Sequence, residues 1–351
     1  MTDKWRRRVR SNGLLLMMLA LLAGCQNTPD DPIKPDLSQI EQQAATSLQR
    51  GHYPTALKHY LELLEYAPDN VDAIYKIGVI QSKLGQDHHA MKAFRDVLKL
   101  QPDHIGALAE LAVTELSHGD SREAKIHLRS ALDLDQQRLN ANDPTIKIML
   151  GEENEWHGLD RGSPVKAYLA QGIVHDMKSE YEAGQKIYRL VLEHDPMSAD
   201  ALNNLGYSYY LAGDLAQAEI HLRKVTQRHP NYRRAWTNLG LVYVRMGHTE
   251  RAFQAFKRVM PEADAYNDIG YFVLLDSRLE EAEALFLKAI DSSPSYFVKA
   301  QDNLKRVQAL LKRQRLAQGG EPDPIEAQFK AELVGSGYSG LQSLSDTRAL
   351  Q

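Results

Sequence analysis

Residues 236–256 read WTNLGLVYVRMGHTERAFQAF, and their pattern of small and large side chains returns along the chain. Within this stretch the pair Leu239-Gly240 is followed by Ala252 and, four positions later, by Phe256. A small residue recurs at the position of Gly240, mostly at intervals of 34, at Ala44, Gly78, Ala112, Gly172, Gly206 and Gly270. A fixed period of this length indicates a repeat architecture in which each unit packs on its neighbours.

The recurring positions predict a pair of antiparallel helices in each unit. The small residue of the first helix allows a second helix to approach closely, and the second helix has its own small residue at Ala56, Ala90, Ala124, Gly184, Ala218, Ala252 and Ala282. A large residue then fills the space between the helices, at Tyr60, Phe94, Leu128, Tyr188, Leu222, Phe256 and Phe286. Glycines, which favour helix ends, mark the turn inside the unit at Gly51, Gly85, Gly119, Gly213 and Gly247.

This pattern resembles the tetratricopeptide repeat. Seven units align, beginning near residues 37, 71, 105, 165, 199, 233 and 263. The resemblance implies an all-α, right-handed superhelical solenoid, with repeats one to three over 37–138 and repeats four to seven over 165–296. An apolar stripe over 297–317 predicts a C-terminal capping helix, which a solenoid needs to close its core.

Several segments depart from the pattern. Gln136 replaces the proline that usually ends a repeat, and Pro261 ends the sixth repeat early, so its second helix should be short. Ser179 and Ser277 replace the turn glycine. Residues 139–164 are an acidic insertion, and 318–351 form a tail expected to be flexible. In the tail, Ile325, Phe329 and Leu333 would share one face of a short amphipathic helix.

The amino terminus has the plan of a secretory signal, with a basic start, an apolar run over 13–23 and small residues before Cys25. Leu22-Ala23-Gly24-Cys25 resembles the lipobox of bacterial lipoproteins, and Cys25 is the single cysteine of the chain. The resemblance implies that 1–24 is removed, that Cys25 is acylated and that 25–36 tethers the body. Gln26, in place of a retention aspartate, implies sorting to the outer membrane, with the body in the periplasm. The alternative is an ordinary signal peptide with a coincidental cysteine.

Composition excludes several classes of protein. A single cysteine allows neither an intramolecular disulfide nor a cysteine-based structural zinc site. The net charge is −4, and the first 24 residues hold five basic side chains against one acidic, so the remainder carries −8. That charge disfavours nucleic-acid binding, which needs positive surfaces. We expect no cofactor and no bound metal.

Catalytic motifs are missing from the sequence, so we expect a non-enzyme. The best catalytic candidates lie in the insertion, at Glu152, Glu153, Glu155 and His157. Carboxylates with a histidine could support hydrolysis or hold a metal, but their spacing matches no known site, and a solvated acidic loop is the favoured interpretation. Trp156 could anchor a partner or could pack the insertion onto the array.

By resemblance to the family, the first helices line a concave groove that binds partners. The implied groove residues are Asn203, Tyr207 and Tyr210 in repeat five, Arg234, Thr237, Asn238, Leu241 and Arg245 in repeat six, and Asn267, Tyr271 and Leu274 in repeat seven. Asparagine amides can pair with a peptide backbone, and tyrosines offer contact area at a small entropic cost. The alternative is that asparagine before Leu-Gly is common in such repeats whatever they bind.

A lipobox followed by repeats resembles the TadD-type lipoproteins of tight-adherence (Flp) pilus assembly. The resemblance implies a scaffold that supports assembly or localisation of an outer-membrane secretin. Two alternatives stay open: an adaptor for cell-wall hydrolases or outer-membrane protein assembly, and a hydrolase that uses the acidic insertion.

Overall fold

The computed structural model describes residues 36–119, 121–142 and 156–317, and all regular secondary structure in these ranges is α-helical. The fifteen helices are α1 Leu37–Gln49, α2 Tyr53–Tyr66, α3 Val71–Lys83, α4 Asp87–Leu100, α5 Ile105–Ser117, α6 Ser121–Asn142, α7 Val165–Met177, α8 Tyr181–His194, α9 Ala199–Ala212, α10 Leu215–Arg228, α11 Arg233–Arg245, α12 Thr249–Phe256, α13 Glu262–Leu275, α14 Leu279–Asp291 and α15 Val298–Ala317. The first fourteen form seven helix pairs, and α15 closes the array. The all-α repeat fold is therefore confirmed.

The array is curved, and the first helix of each repeat lies on its inner side. From α5 onwards, each first helix contacts the first helix of the next repeat: α5 touches α7, α7 touches α9, and so on to α15. The second helices of neighbouring repeats do not approach each other in this way. From α5 onwards the first helices consequently line the concave face.

The recurring small residue of the first helix lies directly under the large residue of the second. A Cβ atom placed on Gly240 would lie 2.7 Å from the ring of Phe256, and one on Gly172 would lie 2.4 Å from the ring of Tyr188. Real Cβ atoms essentially never approach a neighbour this closely, so a side chain at these two glycines would force the ring or the helix to shift. The close approach predicted from the sequence is confirmed.

The turn inside each repeat requires a left-handed backbone conformation. Gly213 has φ 88° at the end of α9, where it caps the helix. Ser179 and Ser277, which replace glycine, adopt the same conformation with φ 62° and 60°. Residues with a Cβ seldom adopt it, so the repeat geometry overrides a local preference at these two turns.

The sixth repeat is shortened as predicted. Helix α12 has eight residues, whereas the second helices α8 and α10 have fourteen. Pro261 then occupies the N-cap position of α13.

The third repeat extends beyond its predicted end at residue 138. Helix α6 runs for 22 residues to Asn142, because Gln136 leaves the helix free to continue where proline would end it. Gln136 Nε2 donates to the hydroxyl of Tyr168 at 2.7 Å, and Gln136 Oε1 accepts from the backbone N–H of His157 at 2.8 Å. The side chain that replaces proline thus ties the far end of the insertion to the array.

The carboxyl end of the insertion is packed rather than solvated. The guanidinium of Arg138 donates to both carboxylate oxygens of Asp160, at 2.7 and 2.8 Å, and holds the pKa of that carboxyl well below its usual range. The ring of Trp156 lies edge-on to Tyr168 with centroids 5.3 Å apart. His157 is buried, so the interpretation as a solvated loop is wrong for this residue, whereas Arg161 is exposed. Residues 143–155, with Glu152, Glu153 and Glu155, lie outside the described residues.

Helix α15 caps the array with one buried face. Its buried residues are Ala300, Leu304, Val307 and Leu311. In the sixth repeat a small residue follows the leucine of the first helix, as in Leu239-Gly240, whereas in α15 the corresponding pair is Leu304-Lys305. The side chain of Lys305 is 70% exposed. A lysine at this position prevents another helix from approaching closely, which agrees with a capping role. The tail beyond Ala317, with its predicted amphipathic helix, lies outside the described residues.

Gly240→Ala should lower the free energy of unfolding by about 1–3 kcal/mol, although alanine favours helix more than glycine does. The reason is the 2.7 Å contact that the new Cβ would make with Phe256. Gly158→Ala is the control, because a Cβ there would meet no atom within 4 Å. Thermal and urea unfolding followed by circular dichroism measure both. Equal losses in the two variants would contradict the assigned contact.

Candidate partner-binding groove

The concave face of repeats five to seven is built by α9, α11 and α13. Eight of the predicted groove residues are partly or fully exposed on these helices: Tyr207, Tyr210, Arg234, Thr237, Asn238, Leu241, Arg245 and Tyr271. They come from three successive first helices, whose mutual contacts place them on one continuous surface.

Two tyrosines and an arginine form a stacked cluster, called here the tyrosine–arginine cluster. The rings of Tyr207 and Tyr210 are stacked with centroids 5.7 Å apart. The guanidinium of Arg245 lies 4.9 Å from the centroid of Tyr210 and donates to the backbone carbonyl of Tyr210 at 2.9 Å. Burial raises the pKa of Tyr207 to about 12, so its hydroxyl stays protonated as a hydrogen-bond donor. The cluster offers aromatic area beside an exposed positive charge.

Asparagines link neighbouring repeats in a recurring hydrogen-bond relay. Asn238 Nδ2 donates to Asn203 Oδ1 at 2.9 Å, and Asn203 Nδ2 donates to Asn204 Oδ1 at 3.2 Å. The same arrangement returns at the end of the array. There Asn303 Nδ2 donates to Asn267 Oδ1 at 3.0 Å, and Asn267 Nδ2 donates to Asp268 Oδ1 at 3.2 Å.

This relay changes the role of two predicted groove residues. Asn203 and Asn267 are buried, with 2% and 6% exposure, and both side-chain polar atoms of each already have a partner in the protein. The expectation that their amides face a ligand is corrected: they hold adjacent repeats in register.

Two further groove predictions differ from the structure. Leu274 is buried in the core cluster of repeats five to seven, because its position on α13 faces the packed side of the helix. Arg234 is mostly covered, and its guanidinium lies 2.9 Å from Asp200 and over the ring of Tyr232. Arg234 therefore joins repeats five and six more than it faces solvent.

Sequence reasoning missed two carboxylates near the concave face. Asp268 ends the second relay, and burial raises the pKa of its carboxyl. Asp176 of α7 accepts hydrogen bonds from Ser208 Oγ at 2.6 Å and from the hydroxyl of Tyr188 at 2.8 Å. The sequence does contain a signal for the close approach of Asp176, because Gly184 replaces the usual alanine of the second helix. A Cβ atom on Gly184 would lie 2.8 Å from Asp176 Oδ1.

Asp176 should make stability depend on pH. Burial raises the pKa of its carboxyl to about 6, the hydrogen bonds from Ser208 and Tyr188 offsetting part of the effect. Because the folded state holds this proton more tightly than the unfolded state, the contribution is complete below pH 4 and is lost as pH rises through 6. The difference in pKa corresponds to up to about 3 kcal/mol.

We therefore expect wild type to lose stability between pH 4 and pH 8 relative to Asp176→Asn, whose side chain stays neutral. Urea unfolding at a series of pH values measures the difference. Asp69→Asn, at an exposed carboxylate, controls for the loss of one negative charge. Parallel curves for wild type and Asp176→Asn would contradict the assignment.

Of the remaining predicted site residues, the structure describes Trp156 but not Cys25. Trp156 is partly buried and packs on Tyr168. This contact agrees with the interpretation that Trp156 packs the insertion onto the array. Cys25 lies outside the described residues. Within the described ranges, no group of three or more histidine, cysteine, aspartate or glutamate side chains is placed to hold a metal ion. No helix there combines the length and the apolar character needed to cross a bilayer.

Family models of the tetratricopeptide repeat match both halves of the chain. The matched stretches are 47–85, 71–104, 169–233, 213–262 and 237–297. Together they span more than half of the sequence, and the gap between them contains the third repeat and the insertion.

A known protein has a sequence similar to part of this chain. Anaphase-promoting complex subunit 3 of Schizosaccharomyces pombe is 26% identical over 141 residues, which are 38% of this chain and 21% of that protein. The chain thus spans about a fifth of the length of this relative.

Two solved structures are similar to this chain at low sequence identity. A monomeric mutant of IFIT1 with the capped RNA m7Gppp-AAAA is 17% identical, with a TM-score of 0.51 over 81% of this chain and 65% of that one. PilW, described as a type IV pilus biogenesis factor, is 18% identical, with a TM-score of 0.49 over 62% of this chain and 90% of that one. At these identities the likeness concerns the fold alone.

Helix pairs, close glycine contacts and family matches agree. The chain belongs to the tetratricopeptide-repeat proteins.

Proposed function

We propose that this protein is a lipid-anchored periplasmic scaffold that binds a protein partner through the concave face of repeats five to seven. Tetratricopeptide arrays are scaffolds for protein–protein interaction. The finer proposal is that the partner belongs to the assembly or localisation of an outer-membrane secretin in Flp pilus biogenesis.

The observation that carries the groove proposal is the tyrosine–arginine cluster. Tyrosine and arginine are the side chains that most often dominate the energy of protein interfaces. Here the two tyrosine rings are already stacked, so these side chains would lose little conformational entropy when a partner binds. Leu241 lies one turn before Arg245 on α11, and it adds an apolar contact beside the cluster.

The proposed anchor is supported by the sequence around Cys25. The cysteine is the only one in 351 residues and follows Leu22-Ala23-Gly24 directly after an apolar run. A lipoprotein carries more than one acyl chain on this residue, and stable anchoring needs at least two such signals. Gln26 supports sorting to the outer membrane, where a secretin would be reached.

The groove proposal predicts a localised loss of binding. Leu241→Ala with Arg245→Ala should weaken binding to an outer-membrane secretin of the Flp pilus system by about thirtyfold or more, since truncated central anchors commonly cost 2 kcal/mol. Calorimetric titration measures the dissociation constant, and circular dichroism checks that the variant is folded.

The matched control is Ile220→Ala with Lys224→Ala on α10. It removes the same kinds of side chain at the same spacing from a second helix, away from the concave face. Unchanged affinity in the folded groove variant would contradict the groove proposal. Absence of any secretin binding by wild type would contradict the pilus partner.

The anchor proposal predicts that Cys25→Ser abolishes acylation. Labelled palmitate should enter the wild-type protein and not the variant, because the thiol is the only group at that position that can accept the lipid. The uncleaved precursor should also accumulate. Equal labelling of the two proteins would contradict the lipoprotein interpretation.

A further inference from the structure

A surface cleft lies at the carboxyl end of α15, next to the last described residue. Its volume is about 440 Å³. It is lined by Glu283 of α14 and by Gln308, Leu311, Lys312, Arg315 and Leu316 of α15.

The helix that forms this cleft has the register of a first helix. Asn303 donates to Asn267 in the same way that Asn238 donates to Asn203. This places Lys305 at the position that glycine occupies in α11, where the second helix of the repeat crosses closely. Helix α15 is thus the first helix of an eighth repeat.

The cleft lies where the second helix of that eighth repeat would begin. Lys305, Gln308, Lys312 and Leu316 are spaced three or four residues apart, so they share one face of α15. Lys305 blocks the usual crossing point, and the cleft opens one turn beyond it. Helix α15 has 20 residues against 13 in α11, so this face is longer than in the other repeats.

The walls of the cleft suit an amphipathic helix with acidic edges. Leu316 is 73% exposed and Leu311 is buried, and both line the cleft, which gives it apolar surface. Lys312 and Arg315 supply positive charge at the rim, and their alkyl stems extend the apolar surface. The single acid of the lining, Glu283, already accepts from Gln308 Nε2 at 2.9 Å.

A segment with this chemistry follows α15 directly in the sequence. Residues 323–334 read DPIEAQFKAELV, in which Ile325, Phe329 and Leu333 recur at intervals of four. On a helix, Glu326 and Glu332 would flank this stripe on its two sides. Only residues 318–322 separate the segment from α15, a distance of at most about 17 Å. A short tether raises the effective concentration of the segment at the cleft to the millimolar range.

We infer that residues 323–334 dock in this cleft as the second helix of an incomplete, register-shifted eighth repeat. The partner of this surface is then the chain itself. The inference stands independently of the proposed pilus function. A membrane surface or a second copy of the chain are the other occupants that a test must distinguish.

Site-specific photocrosslinking in the full-length chain tests this docking. Phe329→p-benzoylphenylalanine should crosslink to α14 or to 308–316 of α15, as read by mass spectrometry. Ala331→p-benzoylphenylalanine is the matched control, since residue 331 would face away from the cleft. A 1:1 mixture of ¹⁴N- and ¹⁵N-labelled protein separates crosslinks within one chain from those between chains.

A second change tests the cleft itself. Leu316→Asp lies at an exposed position and should leave the fold intact, but it should lower the crosslink yield from residue 329 at least about threefold, since an apolar contact is removed. Mixed-isotope crosslinks, crosslinks to lipid, or equal yields from positions 329 and 331 would each overturn the inference. Unchanged yield with Leu316→Asp would overturn it as well.

Discussion

The contact between a bare glycine and the side chain above it fixes the geometry of most repeats. At Gly78, Gly206, Gly240 and Gly270 a Cβ atom would lie within 3.0 Å of the large side chain of the second helix. This contact sets the distance between the two helices of a repeat, and therefore the tilt with which the next repeat is stacked. Because the contact returns in five of the seven units, it sets the same distance between helices along most of the array.

The curvature that follows from this stacking creates the concave face. First helices of adjacent repeats touch, so their side chains come close enough to bond across repeats. The asparagine relay uses this proximity, since an amide can donate and accept at once. Each relay joins two neighbouring first helices. The relay between Asn203 and Asn238 fixes the spacing of α9 and α11, which carry Tyr207, Tyr210 and Arg245. Asparagine before Leu-Gly thus has a structural role here before any ligand is considered.

The repeat fold was predictable because several residues in each unit indicate the same pair of packed helices. Gly213 and Gly247, Ala218 and Ala252, and the early proline at 261 all had consequences that the structure confirms. The sequence contains no comparable repetition that would indicate which side chains are exposed in the groove. Burial of Asn203, Asn267 and Leu274 depends on a neighbouring repeat, which periodicity within one helix does not describe. For the same reason the bonds of Asp176 to Ser208 and Tyr188 could not be foreseen, although Gly184 signalled an unusual neighbour.

The junction between repeats three and four was also only partly predictable. Gln136 was recognised as an exception to the proline rule, but nothing in its identity indicates that it would bond to Tyr168 and to the backbone of His157, because those partners follow 21 or more residues later.

The packed end of the insertion has a consequence for the thermodynamics of the whole array. Helices α6 and α7 are joined by 22 residues, whereas four residues join α4 to α5. Closing the longer loop costs about 1.5 kcal/mol more in chain entropy. The bonds that Gln136 and Arg138 make to 157 and 160 offset this cost locally, and the hydrophobic core continues across the junction from Leu108 to Ala201. The contacts that join the two halves of the array are thus made by residues on either side of 143–155, and the hydrophobic core crosses the junction without them.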